Sequence, residues 1–273
     1  MKKEINVLSL GAGTQSSAMA LMSAYGDLPR PDYIIFSDTG NEPKVVYKWL
    51  DDLEKELNKH GLEVIRVNNG NIYDDIMNSV TVGEGRFVSM PFYTKNKETG
   101  EKGMVSRQCT SEYKIVPIHR KVRELLGYKP RQRIKENVNM WQGITIDEIT
   151  RIRESQTRWI TNKYPLFEKG MDRQDAINYV RDKMGRIPPQ SSCIVCPFHN
   201  NDIWLDIKQN HPDEWEEAVK FDEAIRNHPR FDSELYLHKS CIPLSEVDLQ
   251  EDQMTLDDFI DGFENECMGM CGL

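Results

Sequence analysis

Ser9-Leu10-Gly11-Ala12-Gly13-Thr14-Gln15-Ser16-Ser17 is the stretch that decides how this 273-residue chain folds. The apolar run Ile5-Asn6-Val7-Leu8 stands before it, and the helix-like segment Ala18-Met19-Ala20-Leu21-Met22 follows it. A strand, a turn rich in glycine and hydroxyls, then a helix make an anion site. Glycine lets the backbone approach a ligand, and free N–H groups at the helix start point toward it. A phosphate is the expected ligand.

Two common phosphate loops are excluded. The Gly-Lys-Ser/Thr loop fails because no lysine lies between Lys3 and Lys44. The dinucleotide fingerprint fails because Ser16 stands where its third glycine belongs. A plain structural turn would use the same residue types, but a second segment points away from that. Asp32-Tyr33-Ile34-Ile35-Phe36 reads as a buried strand running into Ser37-Asp38-Thr39-Gly40-Asn41-Glu42-Pro43. Two adjacent parallel strands would then end in polar loops at one edge, where open α/β sheets bind ligands.

Parallel strands are expected at residues 5–10, 33–37, 62–67 and 139–145, with Leu235-Tyr236-Leu237-His238 as a fifth. Helices are expected at 16–25, 44–60, 115–126, 172–184 and 212–227; Val45, Val46, Trp49, Leu50, Leu53 and Leu57 form the apolar stripe of the second. The fold class is α/β, a doubly wound and mostly parallel five-stranded sheet with a helical, cysteine-containing C-terminal region. Residues 1–160 form the expected nucleotide-binding unit and 161–273 the C-terminal region packed on it. Within the first, 68–114 holds a cysteine loop and, over residues 68–106, a long glycine- and asparagine-rich segment that reads as a mobile active-site flap.

Charged residues make up 29% of the chain and its net charge is −9, which disfavours a polyanionic partner. Against that background Arg120, Lys121, Arg123, Lys129, Arg131, Arg133 and Lys135 form a dense basic run. It reads as a solvated face or, alternatively, as a groove for a nucleic acid or a nucleotide tail. No apolar run reaches membrane-spanning length and Met1-Lys2-Lys3-Glu4 leads into a strand, so the expected location is cytoplasmic.

Six cysteines in such a compartment are expected as reduced thiols or metal ligands, not disulfides. Cys193 and Cys196 stand two apart in a proline-flanked loop, a spacing that lets both sulfurs converge on one ion. One arrangement is a zinc site of Cys193, Cys196, Cys267 and Cys271. The other is implied by a resemblance of Cys109 and the Cys193/Cys196 pair to the cluster-bearing sulfonucleotide reductases: a [4Fe–4S] cluster held by Cys109, Cys193, Cys196 and a tail cysteine, for which we take Cys271 because Gln108-Cys109 stands where those reductases carry two cysteines. Cys241 reads as a packed small residue.

The first loop resembles the serine-glycine-glycine-x-aspartate-serine loop of the ATP pyrophosphatase and PAPS (phosphoadenosine phosphosulfate) reductase superfamily. Asp38, Thr39, Gly40 and Glu42 are similar to its Asp-Thr-Gly-x-Glu segment, and Trp141-Gln142-Gly143-Ile144-Thr145 with Arg151, Arg153 and Ser155 to its Gly-x-Arg segment. The chain also looks like a subgroup found in phages and prophages. The marks of that likeness are Arg107-Gln108-Cys109-Thr110, Tyr164-Pro165-Leu166, Cys193-Ile194-Val195-Cys196-Pro197-Phe198 and Asn265-Glu266-Cys267-Met268-Gly269-Met270-Cys271-Gly272.

The resemblance implies an adenine nucleotide (PAPS, APS or ATP) held by Ser9, Gly11, Ala12, Gly13, Thr14, Gln15, Ser16, Ser17, Asp38, Thr39, Gly40, Glu42 and Gly143. It implies Arg107 and Arg153 on the substrate, and Cys267, Arg151 and Lys114 as catalytic groups. Sulfonucleotide reduction releasing sulfite is the implied reaction, with a thioredoxin-like reductant resetting the thiol. The alternatives are ATP-dependent adenylation or sulfur transfer, with Mg²⁺ accompanying ATP, and a nucleotide-binding module without chemistry. A nucleic-acid acceptor and a homodimer stay open.

Three departures stand out. Ala12 replaces a glycine of the family loop, and Gln15 replaces an aspartate associated with Mg²⁺ and phosphate. An amide keeps hydrogen bonding but gives up the charge that a hard cation prefers. In the tail, Met268 replaces the glycine of the reductases' Glu-Cys-Gly segment.

Overall fold

The computed structural model describes residues 4–82 and 89–250, without the side chains of 81 and 82. Strands β1 (Glu4–Leu10), β2 (Tyr33–Asp38), β3 (Val64–Asn68), β6 (Asn137–Trp141) and β7 (Ile160–Lys163) form a parallel sheet in the order β3-β2-β1-β6-β7. Order reverses beside β1, so the loops after β1 and β6 flank the crevice in which doubly wound sheets bind ligands.

Helix α1 (Thr14–Tyr25) follows β1 and α2 (Lys44–Lys59) follows β2. The stripe Val46, Trp49, Leu50, Leu53 and Leu57 is fully buried against α1 and β2, whereas Val45 faces out. Burial of this kind stabilises by roughly 1.5–3 kcal/mol per large side chain. On the other face Ile5, Val7, Ile35, Val138 and Met140 pack on α4 (Val116–Leu125).

The fifth parallel strand differs from expectation. Ile160–Lys163 fills that place, while the apolar run at 235–238 contributes β8 (Ser233–Tyr236) to a separate sheet. There β8 pairs antiparallel with β4 (Tyr93–Asn96), which also pairs with β5 (Lys102–Met104). The expected flap at 68–106 thus holds α3 (Ile72–Val82) and a β4–β5 hairpin. The expected strand 139–145 stops at Trp141, which leaves Gly143 in a loop.

Helices α5 (Pro165–Glu168) and α6 (Arg173–Met184) follow the sheet, then α7 (Asn201–Asn210), which was not expected, and α8 (Pro212–Ile225). The cysteine loop Cys193–Cys196 joins α7, α8 and α3 in one apolar cluster with Phe92, Trp204 and Phe221. Asp222 anchors this region: its carboxylate accepts from Leu237 N at 2.7 Å and Leu244 N at 3.0 Å, and pairs with Arg226.

Desolvation lowers the pKa values of three histidines in this architecture, to about 4 at the half-buried His119, about 3 at the buried His199 and about 4 at the buried His238. The unfolded chain would bind protons near pH 6.5, so it takes up protons in this window while the folded chain does not. Stability is therefore complete above pH 6.5 and is lost as pH falls toward 4. At pH 5 each histidine would contribute about 2 kcal/mol less than at pH 7. Urea unfolding at the two pH values should show this fall, and equal stabilities would contradict it.

Candidate functional site

The loop after β1 is held open by its own bonds. Gly11 N donates to Ser16 Oγ at 3.1 Å, and Ser16 Oγ donates to Gly13 O at 3.3 Å. Ala12 lies in the left-handed region at φ 57°, where a side chain costs roughly 1–2 kcal/mol, so a glycine in this place has a backbone reason. Gly13 begins α1 with no side-chain cap, which leaves the first N–H groups of the helix to an anion.

The hydroxyl of Ser17 is used elsewhere: it accepts from Trp49 Nε1 at 3.0 Å and ties α2 to α1. Ser191 Oγ donates to Gly11 O, fastening the segment before the cysteines onto the loop.

Gly143 presses on the loop from β6. A Cβ there would stand 2.9 Å from Ser16 N and 3.0 Å from Gln15 Cβ, so only glycine allows this approach. Beside it, Gln15 Nε2 donates to Glu148 Oε2 at 3.2 Å, and Glu148 Oε1 accepts from Arg151 Nη1 at 2.5 Å. All three side chains are withdrawn from solvent. A carboxylate therefore lies next to Gln15 although residue 15 itself carries no charge.

Ser9 Oγ, Gln15 Oε1 and Thr145 Oγ1 are buried here with no hydrogen-bond partner among the described residues. Buried polar atoms are nearly always paired, so these unpartnered groups near the loop leave hydrogen-bonding capacity that a polar ligand could use.

The loop after β2 is equally specified. Gly40 takes φ 77°, and a Cβ on it would lie 2.9 Å from Asn71 Cα. Asp38 Oδ1 accepts from Gly40 N and from Tyr47 OH, both at 2.7 Å. Burial first, then this carboxylate, push the Tyr47 phenol's pKa well up. Thr39 Oγ1 donates to Glu42 Oε1 at 3.0 Å, and Lys114 Nζ lies 3.8 Å from the same oxygen in a buried pair.

This second loop touches the thiols directly. Cys193 Sγ donates to Thr39 Oγ1 at 3.2 Å, and Ile194 N donates to Asn41 O at 2.9 Å. Cys109, Cys193 and Cys196 line one small cavity of about 20 Å³ together with Thr39, Arg107 and Lys114. That volume holds about one water-sized occupant. The Arg107 guanidinium stacks over Phe198 at 5.4 Å, and Thr110 Oγ1 is buried without a partner among the described residues. No group of three His, Cys, Asp or Glu among the described residues is drawn together tightly enough to be a ready metal site.

Of the residues expected at the site, the phosphate loop, Asp38, Thr39, Gly40, Glu42 and Gly143 gather at one sheet edge, with Lys114, Arg107 and the three thiols adjoining. Arg151 lies beside Gln15, on the phosphate-loop side. Arg153 is apart: it is exposed and its guanidinium folds back on Thr150 O and Ile152 O. Cys267 and Cys271 lie outside the described residues. In sequence Asp147-Glu148 reads either as a metal or substrate-amine contact or as ordinary helix-start acids; the fold places Glu148 against Gln15 and Arg151. Ser191 carried no signal.

No protein-family model and no curated protein matches the sequence. Among solved structures the chain is similar to the phosphoadenylyl-sulfate (PAPS) reductase of Candida auris in its phosphate complex. That match has 12% identity over 70% of this chain and 76% of the other, with a TM-score of 0.36. It is also similar to the U34-tRNA thiolase NcsA of Methanococcus maripaludis with its [4Fe-4S] cluster, at 13% identity, 92% and 76% coverage and a TM-score of 0.40. At these values the likenesses carry no weight for function, which has to be read from the chain's own residues. Those residues define an α/β protein with an open helix-terminus loop beside a thiol cavity.

Proposed function

We propose that the chain is an enzyme of the PAPS-reductase-like group, binding an adenine nucleotide at Gly11–Ser16 and Asp38–Glu42 and acting on it with sulfur chemistry. The observation that carries this reading is the contact between Thr39 and Cys193. A nucleotide held by both loops would present its sulfate-bearing end to a cavity containing thiols, Arg107 and Lys114. Arginine's fork and a lysine point charge suit sulfate and phosphate oxygens.

The reaction is sulfonucleotide reduction. The Cys267 thiolate attacks sulfur, the sulfur–oxygen bond to the phosphate breaks, and the nucleotide leaves with the electron pair. A thioredoxin-like dithiol then displaces sulfite from the cysteine S-sulfonate and supplies the two electrons, ending as a disulfide. Lys114 and Arg107 balance the negative charge, and Arg151 acts beside the loop.

Cys109, Cys193 and Cys196, with Cys271 as the fourth, are the residues that would hold a [4Fe–4S] cluster, and as soft donors they fit it in kind. Bound there, a cluster would supply an iron centre for sulfur or electrons. The small cavity favours a single zinc ion as the second reading, since a cluster requires its walls to part. Anaerobically purified protein that is colourless and holds stoichiometric zinc would decide for zinc.

Glu148 beside Gln15 supports a second activity, ATP cleavage for adenylation or sulfur transfer, in which its carboxylate would give up part of its contact with Gln15 or Arg151 to Mg²⁺. Incubation with PAPS and reduced thioredoxin should release sulfite, and C267S should lower the rate at least about a thousandfold. Pyrophosphate from ATP with an acceptor, and no sulfite, would overturn reduction in favour of the second reading. Tight nucleotide binding with neither product would overturn both.

A further inference from the structure

Opposite the nucleotide loops, at the edge where β6 begins, lies a larger cavity of about 380 Å³. Its walls include Arg123, Gln132, Arg133, Glu136, Arg158 and Trp159. The arginines come from α4, the loop before β6 and the loop before β7, so distant segments converge on one concavity. Because the sheet is parallel, the start of β6 lies at the far edge from Gly11, Thr39 and Gly143.

These arginines differ in what they do. Arg123 is structural: its guanidinium donates to Lys129 O at 3.1 Å and to Gln132 O, shaping the loop. Gln132 Oε1 accepts from Lys129 N at 3.0 Å, which closes the same turn. Arg133 and Arg158 are exposed and form no ion pair or hydrogen bond among the described residues. The acidic member, Glu136, is engaged by Tyr128 OH at 2.6 Å.

Trp159 supplies an aromatic wall, half-buried and packed edge-on against His119 at 5.5 Å. Two unengaged guanidinium forks and an indole around a cavity of ligand size suit a phosphate attached to a flat ring. A merely solvated basic face explains neither the concavity nor the aromatic wall. The local excess of positive charge also runs against the net charge of −9.

We propose that this cavity is a second anion site that takes one nucleotide, with its phosphate on Arg133 and Arg158 and its base against Trp159. The nucleotide is either free or one unit of a nucleic-acid strand. The site is independent of the reading at the loop edge.

Binding of AMP and of a fluorescein-labelled oligoadenylate of about twelve nucleotides tests it. Both are measured in the G143V protein, where the loop edge is blocked, with and without R133E/R158E. Charge reversal at two exposed residues is expected to leave the thermal unfolding unchanged and to weaken binding at least about tenfold. It should also flatten the salt dependence of oligonucleotide binding by roughly 1.4 in log–log slope. Arginine-dependent binding of AMP alone would identify a free nucleotide, and of the oligonucleotide alone a strand; either supports the site. The proposal is overturned if neither probe binds, or if R133E/R158E leaves both affinities unchanged. Should G143V fold poorly, the salt slope of the oligonucleotide in the protein that keeps Gly143 separates the same outcomes, because two lost phosphate contacts must flatten it.

Discussion

Gly143→Val is expected to weaken ATP and PAPS binding by at least about a hundredfold, close to 3 kcal/mol. The added Cβ alone would meet Ser16 N at 2.9 Å and Gln15 C at 3.1 Å, both backbone atoms that cannot rotate away. Ser16 N is among the helix-start donors that would face the phosphate, so the displacement falls on the binding groups themselves. Gly143→Ala should be intermediate, since one methyl can be accommodated by a small retreat of α1. Isothermal titration at matched thermal stability measures both. Parental affinity in Gly143→Val would remove the loop as the nucleotide site.

The local elements were legible where side-chain chemistry and backbone need coincide. Gly11 to Ser16 announced a strand-to-helix anion loop, and Val46, Trp49, Leu50, Leu53 and Leu57 announced an amphipathic helix. Both follow from patterns repeated within a single element. The fifth strand was missed for a physical reason. Ile160-Thr161-Asn162-Lys163 is a short sheet edge with one buried side chain, so it carries almost no apolar signature. Leu235-Tyr236-Leu237 does carry one, but hydrophobicity records burial and not which sheet does the burying.

The site was legible in kind more than in arrangement. Asp38-Thr39-Gly40 and the cysteine pair each suggested chemistry, but their contact through Thr39 and Cys193 joins residues 154 apart. Gln15 and Glu148 are 133 apart, and only the fold reveals that an acid stands next to the amide. A carboxylate therefore stands at the loop edge beside the uncharged Gln15, paired there with Arg151.

Glu148→Ala is expected to destabilise the protein by about 3–5 kcal/mol, because it strands the buried Arg151 guanidinium without its carboxylate. Both side chains are withdrawn from water, at 9% exposure for Arg151 and 2% for Glu148, and Arg151 Nη2 already lacks a partner among the described residues. Removing both charges should cost much less: E148L/R151M replaces a buried pair by apolar groups, which is often neutral. Urea unfolding of the two single variants and the double closes a thermodynamic cycle. A coupling below about 1 kcal/mol would mean the pair is solvated and replaceable. A large coupling together with nucleotide affinity in E148L/R151M that no longer responds to Mg²⁺ would place Glu148 on the cation. Affinity that keeps its Mg²⁺ dependence would leave Glu148 the narrower task of orienting Gln15 and Arg151 around the phosphate.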